Sequence, residues 1–389
     1  MLISHISDIH LGYSQFNLQE RENDIYDAFE EVVNRSISEH ADLVILAGDI
    51  FHSPRPSGSS IVKLADELAK FREASIPVYF ILGEHDMSRI KDTPVPYLFH
   101  NMKLARMLED NQPIRAGTLA IFGFNKERRS NIETLFQKLQ VAEKLAKQQK
   151  EIYDSRNILV LHQGLVEFNK FAGELSRINL PKGFDYYAMG HYHDHIEETF
   201  SYFDGVERKG LIAYPGSIDL SPSDGLKDIE KGFFLTDMSA REPRANWVKL
   251  ENRRPVLAFD SDYKTLQDEI SAIVRKSHSC KKKPIVSLTI SGEKIDSKIV
   301  AMNLSKLNEF CLHYVWRTAE KHDAHLDISS GKPIDIDREI YKLTREALNS
   351  DELAAFAVNE ILPAASAGDL QTVLDIVWKV HNNKRKTRN

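Results

Sequence analysis

Short apolar runs alternate with amphipathic stretches through the first 250 residues. Leu2–Ile6, Leu43–Ala47, Val78–Leu82, Leu119–Phe124, Ile158–Leu161 and Tyr186–Met189 are runs of this kind. Gly, Asp or His stands at or near their ends, as in strands buried on both faces. Between the runs, apolar residues recur at helical spacing. Ile25, Phe29, Val32, Val33 and Ile37 share one face. Ile61, Leu64, Ala65, Leu68 and Phe71 share a second, with Ser59 or Ser60 as its N-cap, and Ile132, Leu135, Leu139, Ala142 and Leu145 mark a third. The later runs Leu211–Tyr214 and Gly232–Thr236 have turn residues rather than a helix between them. The pattern predicts an α/β layered domain closed by a partly antiparallel sheet. In such sheets ligands gather at strand ends.

Arg253-Arg254-Pro255 marks a boundary. Beyond it come a strand (Val256–Phe259), a helix (Leu266, Ile270, Ile273, Val274), a strand (Ile285–Ile290), a helix around Ile299, Met302, Leu307 and Phe310, and a strand (Leu312–Trp316). This predicts a small second α/β domain. The division is 1–252, 253–320, a polar linker with Gly331 and Pro333 over 321–336, and helices with a basic tail over 337–389. Asp337, Asp351 and Asp369 are candidate helix caps. The last helix carries Leu370, Val373, Leu374, Val377 and Trp378, an apolar stripe that either folds back on its own domain or docks in a partner's groove.

The chain of 389 residues has 42% hydrophobic and 28% charged residues, ordinary for a globular protein. No apolar stretch reaches the ~18 residues that span a bilayer. The first residues read as a strand, not a signal peptide. Cys280 and Cys311 imply no disulfide framework and suit a reducing compartment. A net charge of −6 excludes a uniformly basic nucleic-acid binder but not local basic patches. Three basic clusters stand out: Lys126 with Arg128 and Arg129, Lys281-Lys282-Lys283, and Lys384-Arg385-Lys386 with Arg388. Each reads either as a solvated loop or tail or as a contact to phosphates.

Candidate chemistry lies at the ends of the apolar runs: Asp8-Ile-His10, Gly48-Asp49, Gly83-Glu84-His85-Asp86, His162-Gln-Gly and Gly190-His191-Tyr-His193. Alternation in extended chain puts residues i and i+2 on one side, so Asp8 with His10, and His191 with His193, can face one ion. A carboxylate in the tight turn at Gly48-Asp49 has two oxygens with which to bridge two cations. Carboxylates mixed with imidazoles favour manganese, iron or zinc over a pure calcium site.

The ordered set resembles the calcineurin-like metallophosphoesterases. More narrowly, Asp8-Ile-His-Leu-Gly-Tyr13 and Gly48-Asp-Ile-Phe-His-Ser-Pro-Arg-Pro-Ser57 resemble the DNA double-strand-break repair nucleases of the meiotic-recombination-eleven family, called SbcD in bacteria. The resemblance covers residues 1–250, extends to 255–320 in architecture and reaches 337–380 in placement alone. It implies a metallophosphoesterase sheet sandwich flanked by helices, a small α/β capping domain that grips DNA, and C-terminal helices that bind an ABC-type ATPase of the SbcC kind. It further implies a homodimer holding two manganese ions per chain, with a cytoplasmic, nucleoid-associated or, in a eukaryote, nuclear location. By the same resemblance Asp8, His10 and His193 hold one ion, His162, His191 and Glu84 the other, and Asp49 bridges them. His85 acts on the scissile phosphodiester with Asp86 orienting its ring, and His52 sits near the phosphate. His195 has no counterpart in the motif.

One position departs from the family, which usually has Asn where this chain has Glu84. Glu adds a charge and a methylene, which should raise metal affinity and lower Lewis acidity. The leading expectation is a manganese-dependent DNA nuclease, both exonuclease and endonuclease, in break repair. The alternatives are a small-molecule phosphodiesterase of the same fold and a non-catalytic DNA-tethering subunit.

Overall fold

A computed structural model describes residues 1–366 apart from 89–91, 109–111, 204, 241, 321–335 and 349, together with Val373 and Ile376. Along the chain come β1 (Leu2–Ile6), α1 (Gln19–Ser38), β2 (Leu43–Ala47), α2 (Gly58–Glu73), β3 (Val78–Ile81), α3 (Tyr97–Asn101), β4 (Arg106–Met107), β5 (Ile114–Ala116) and β6 (Leu119–Phe124). Then follow α4 (Ile132–Tyr153), β7 (Arg156–His162), β8 (Tyr186–Gly190), β9 (Ile196–Phe203), β10 (Glu207–Tyr214), β11 (Gly232–Asp237) and β12 (Arg244–Lys249). The remaining elements are β13 (Val256–Asp262), α5 (Leu266–His278), β14 (Ile285–Gly292), α6 (Ser297–Leu304), β15 (His313–Glu320), α7 (Ile336–Leu348), α8 (Asp351–Phe356) and α9 (Leu362–Ser366).

Among the described residues the strands form two six-stranded sheets, ordered β12-β11-β1-β2-β3-β4 and β5-β6-β7-β8-β10-β9. The centre of each is parallel, and β11, β12, β5 and β9 pair antiparallel at the flanks. This is the layered, partly antiparallel α/β architecture that the apolar runs predict, with the stacked sheets that the family resemblance implies. Period-two alternation explains the stacking. Leu43, Ile45 and Ala47 of β2 point into a core shared with Ile121, Ile158, Val160, Tyr186 and Ala188 of the other sheet. Val44 and Leu46 point the opposite way, onto Phe29, Leu64, Leu68 and Phe71 of α1 and α2. Polar bridges cross between the sheets, His5 Nδ1 to the Tyr186 hydroxyl at 2.8 Å and the Thr236 hydroxyl to the same oxygen at 3.1 Å.

The third sheet, β13-β14-β15, is parallel and carries α5 and α6 over a core of its own, including Ile270, Ile273, Leu288, Val300, Leu304 and Leu307. Ile299 and Met302, expected on the buried face of α6, are exposed, because Val300 and Leu304 occupy that face instead. The sheet is held to α1 by charge. Asp24 accepts from Arg254 at 2.6 and 3.0 Å, from Arg21 at 2.5 Å and from Lys282 at 3.1 Å. A small apolar contact adds to this. Leu220, Leu226 and Ile229, from the loop between β10 and β11, pack with Val256 and Ile285.

Contacts divide the described residues into two compact units. One is drawn from Met1–Lys126, Gln137–His162 and Pro181–Asp323, the other from Glu127–Phe136, Gln163–Leu180 and the described part of Ala324–Asn389. Within the second unit, Arg345 pairs with Asp351 at 2.7 Å. The caps differ from expectation. Ser57 caps α2 by accepting from Ser60 N, and Ser350, not Asp351, caps α8 by accepting from Leu353 N. Asp337 lies inside α7 rather than before it. Of the stripe expected on the last helix, Leu370, Leu374, Val377 and Trp378 lie outside the described residues. Among the described residues no helix is long and apolar enough to cross a membrane.

Candidate metal centre

Five strand ends converge. Asp8 and His10 follow β1, Asp49 follows β2, the Gly83–Asp86 turn follows β3, His162 ends β7, and His191 and His193 follow β8. The turns are tied by main-chain bonds. Asp8 N–H donates to Gly48 O at 3.1 Å, His10 N–H to Asp49 O at 3.0 Å, and His52 N–H to Leu11 O at 3.0 Å. Several of these residues adopt left-handed backbone: Asp8 (φ 51°), His10 (φ 52°), Asp49 (φ 50°) and His191 (φ 100°). Such conformations are costly outside glycine and cluster at functional sites, where the surrounding packing enforces them. Close approach also demands glycine. A Cβ on Gly83 would lie 2.1 Å from Asp49 Oδ1, and one on Gly48 2.5 Å from His162 Nδ1.

Asp49 stands at the centre. Its Oδ2 lies 3.4 Å from His162 Nε2, 3.9 Å from His10 Nε2 and 4.0 Å from His85 Nε2, while Oδ1 accepts the His85 N–H at 2.8 Å. Asp8 Oδ1 lies 3.7 Å from His193 Nε2 and 3.9 Å from His162 Nε2, and the two imidazoles His10 and His193 approach to 3.3 Å. Three groups have donor atoms mutually within 4.8 Å: Asp8–His10–His193, Asp8–Asp49–His162 and His10–His52–His85. Asp8 Oδ1 and His162 Nε2 are buried with no hydrogen-bond partner among the described residues. Buried polar atoms are rarely left so, and these two face the carboxylate-imidazole cluster. The donor set therefore fits divalent cations, in two groups that share Asp8.

Protonation follows from crowding. Burial pushes Asp8 up to about 6. Burial alone would lower His162, but the Asp49 and Asp8 carboxylates outweigh it and raise the imidazole to about 9. Asp49 is held below the usual carboxylate range by the surrounding histidines, against the effect of burial. Burial drops His193 to about 3 and His52 to about 4, so both rings are neutral at pH 7, the form in which an imidazole can ligate a metal.

The expected helpers are partly rearranged. Asp86 does not touch the His85 ring. Its buried carboxylate accepts from the N–H groups of Ile50, Phe51 and Gly83 at 3.2, 2.9 and 2.9 Å, clamping the Asp49 turn to the β3 turn. The ring of His85 is oriented instead by the His52 carbonyl, 3.0 Å from Nδ1, and the two rings stack at 5.2 Å, with Tyr13 also against His52 at 4.5 Å. Glu84 and His191 belong to none of the three donor groups. The rings of His191 and His162 lie 5.5 Å apart. Lys126, expected in a surface patch, is buried, with its ammonium 3.5 Å from His191 Nδ1. Lys282 is spent on Asp24 and Asp27. Lys281, Lys283, Arg128 and Arg129 remain exposed, and Arg129 donates to the Gly173 carbonyl. His195 stacks on Trp247 at 4.2 Å. The sequence reading missed Ser221, Asp224 and Lys231, which gather behind His193. They lie in a polar loop with no periodicity to single them out.

The calcineurin-like phosphoesterase family matches residues 1–195. The chain is 30% identical over 322 residues to the DNA double-strand break repair protein Mre11 of Saccharolobus solfataricus, covering 80% of this chain and 81% of that one. It is 32% identical to Mre11 of Methanocaldococcus jannaschii, over 75% and 77% of the two chains, and 28% identical to Mre11 of Sulfurisphaera tokodaii, over 98% of each. Among solved structures, a dimetal phosphatase from Danio rerio aligns with a TM-score of 0.42 at 12% identity, over 64% of this chain and 95% of that one. With a carboxylate-imidazole cluster at converging strand ends and this sequence kinship, the chain belongs to the calcineurin-like phosphoesterases, metal-dependent enzymes that bind two metal ions, and within them to the Mre11 family.

Proposed function

We propose that this chain is a manganese-dependent nuclease that hydrolyses DNA phosphodiesters, as exonuclease and endonuclease, in double-strand-break repair. The observation that carries the reading is the position of Asp49, whose Oδ2 lies within 4.0 Å of three imidazoles from three different turns. Relatives bearing the DNA double-strand break repair name over most of their length support DNA as substrate. Asp8, His10 and His193 would hold one ion, His162, His191 and Glu84 the second, with Asp49 between them. Two such ions would lower the pKa of a water and polarise the phosphoryl oxygens. The imidazole of His85, fixed at Nδ1 by the His52 carbonyl, turns Nε2 toward the cluster, where it can give a proton to the leaving oxygen. Its side chain is 42% exposed, as a group that must meet a polymer requires. His52 supports that ring and lines the approach of the phosphate.

The chain divides into a nuclease domain (1–252), a capping domain (253–320) whose exposed Lys281 and Lys283 meet phosphates, and terminal helices that dock an ABC-type ATPase of the SbcC kind. It works as a homodimer. Replacing His85→Asn tests the reading. DNA cleavage in Mn²⁺ should fall by at least ~10²-fold while Mn²⁺ binding, followed by calorimetry, stays intact. Cleavage of a bis-aryl phosphodiester with no cleavage of duplex or single-stranded DNA would overturn the substrate. DNA binding without turnover in any divalent metal would make the chain a tether. Removal of residues 337–389 should abolish ATPase binding and spare DNA cleavage; unchanged ATPase affinity would refute the docking assignment.

A further inference from the structure

His193 is backed by a chain of three side chains that the motif pattern does not contain. Its Nδ1 makes a close hydrogen bond with Ser221 Oγ. Ser221 lies 2.9 Å from Asp224 Oδ2 through that same Oγ, and the Ser221 N–H donates to the same carboxylate oxygen at 2.7 Å. Lys231 closes the chain, donating to Asp224 Oδ2 at 2.9 Å, Ser217 Oγ at 2.8 Å and the His193 carbonyl at 3.0 Å. Those bonds match the three N–H groups of a lysine ammonium. Ser221 and Lys231 are 2% and 1% exposed, so nothing here is an incidental surface contact.

The chemistry of the chain has one direction. Asp224, paired with Lys231, is an acceptor only, so the Ser221 hydroxyl spends its single proton on it. Ser221 Oγ is then left with lone pairs toward His193, and Nδ1 must be the nitrogen that carries the proton. Nε2 is thereby left with its lone pair, aimed at Asp8 Oδ1 and His10 Nε2, 3.7 and 3.3 Å away. An imidazole fixed in this tautomer is ready to ligate. His162 is oriented by a different route, with Nδ1 donating to the Ala47 carbonyl at 2.7 Å. One imidazole is oriented by main chain, the other by side chains.

We propose that Ser221 and Asp224, anchored by Lys231, are positioning residues that hold His193 in its metal-ligating tautomer and set the affinity of one of the two ions alone. The inference rests on the reading of His193 as a ligand. Mn²⁺ titrated into the full-length chain, with stoichiometry and affinity read by calorimetry, tests both. The unaltered chain should bind two ions, and His193→Ala should lose one. Ser221→Ala should weaken one ion by about 10–100-fold and leave the other unchanged. Ser221→Thr, which keeps the hydroxyl, should restore it, and Asp224→Asn should weaken the same ion. Should Ser221→Ala not fold, Asp224→Asn and Ser221→Thr carry the comparison. Two ions at unaltered affinity in Ser221→Ala or Asp224→Asn, with one lost in His193→Ala, would overturn the positioning role and leave the ligand assignment standing. Two unaltered ions in His193→Ala would overturn the assignment itself.

Discussion

Asp49 and Gly83 press against one another so closely that the turn admits no side chain. A Cβ at residue 83 would collide with Asp49 N at 2.2 Å as well as with its carboxylate. Gly83→Ala must therefore push Asp49 out of place. Displacements of about 1 Å near reacting groups cost on the order of 10²-fold in rate, so Mn²⁺-dependent turnover should fall at least that far. Turnover within threefold of the parent would show that the turn tolerates the shift. At the neighbouring position, Glu84→Asn removes one negative charge from the ligand set proposed for the second ion. Ligand charge count tunes affinity, so Mn²⁺ binding should weaken on the order of tenfold while turnover at saturating Mn²⁺ rises. Calorimetry paired with initial rates measures both, and unchanged Mn²⁺ affinity would place Glu84 outside the ligand set. The residues at the strand ends were legible because Asp and His stand out after apolar runs. The partners that orient them were not, since a carbonyl such as that of His52 has no signature, and Ser221 lies far along the chain from His193.

Among the elements, β1, β2 and β6 fall on the bounds that the apolar runs predict. The strands that escaped, β4, β5, β9 and β12, are short or lie at sheet edges. β9 buries only Phe200 and Tyr202 and β12 buries no side chain fully, so neither forms an apolar run. The join between α1 and the third sheet was equally hidden, since Asp24 and Arg254 lie 230 residues apart. Asp24→Ala would leave Arg254 without its carboxylate and Arg21 with Asp219 alone, and should cost about 3–5 kcal/mol in denaturant unfolding, as loss of one partner in a buried pair does. Although burial works against it, the bonds from Arg254 and Arg21 hold the Asp24 carboxyl below its ordinary 3.8. A lowered folded pKa stabilises above the unfolded value. The contribution should be complete above about pH 4 and fade as pH falls through the folded value, so the Asp24→Ala and parent stabilities should converge in acid. A constant difference from pH 6 down to pH 2 would deny the ion pairs that role. Val62 of α2 and Leu98 and Met102 in and after α3 are 58%, 44% and 53% exposed. The proposed homodimer can be tested at these exposed apolar side chains. Leu98→Glu with Met102→Glu should yield a folded monomer by sedimentation, and a dimer of unaltered affinity would move the interface elsewhere.

At the scale of the whole molecule, the loop between β10 and β11 has two sides. Ser221, Asp224 and Lys231 stand behind His193 on one, and Leu220, Leu226 and Ile229 lie against Val256 and Ile285 on the other. A cation that binds only the folded chain stabilises it by about 2.7 kcal/mol at a hundredfold excess over Kd. Stripping metal with a chelator should therefore lower the thermal midpoint. It should also quicken amide exchange in residues 285–290, remote in sequence from every candidate ligand. Exchange there that ignores the chelator would mean the loop transmits nothing. If it responds, occupancy at the centre is legible from the stiffness of a sheet that never touches the ion, and whatever grips that sheet has a mechanical handle on the chemistry.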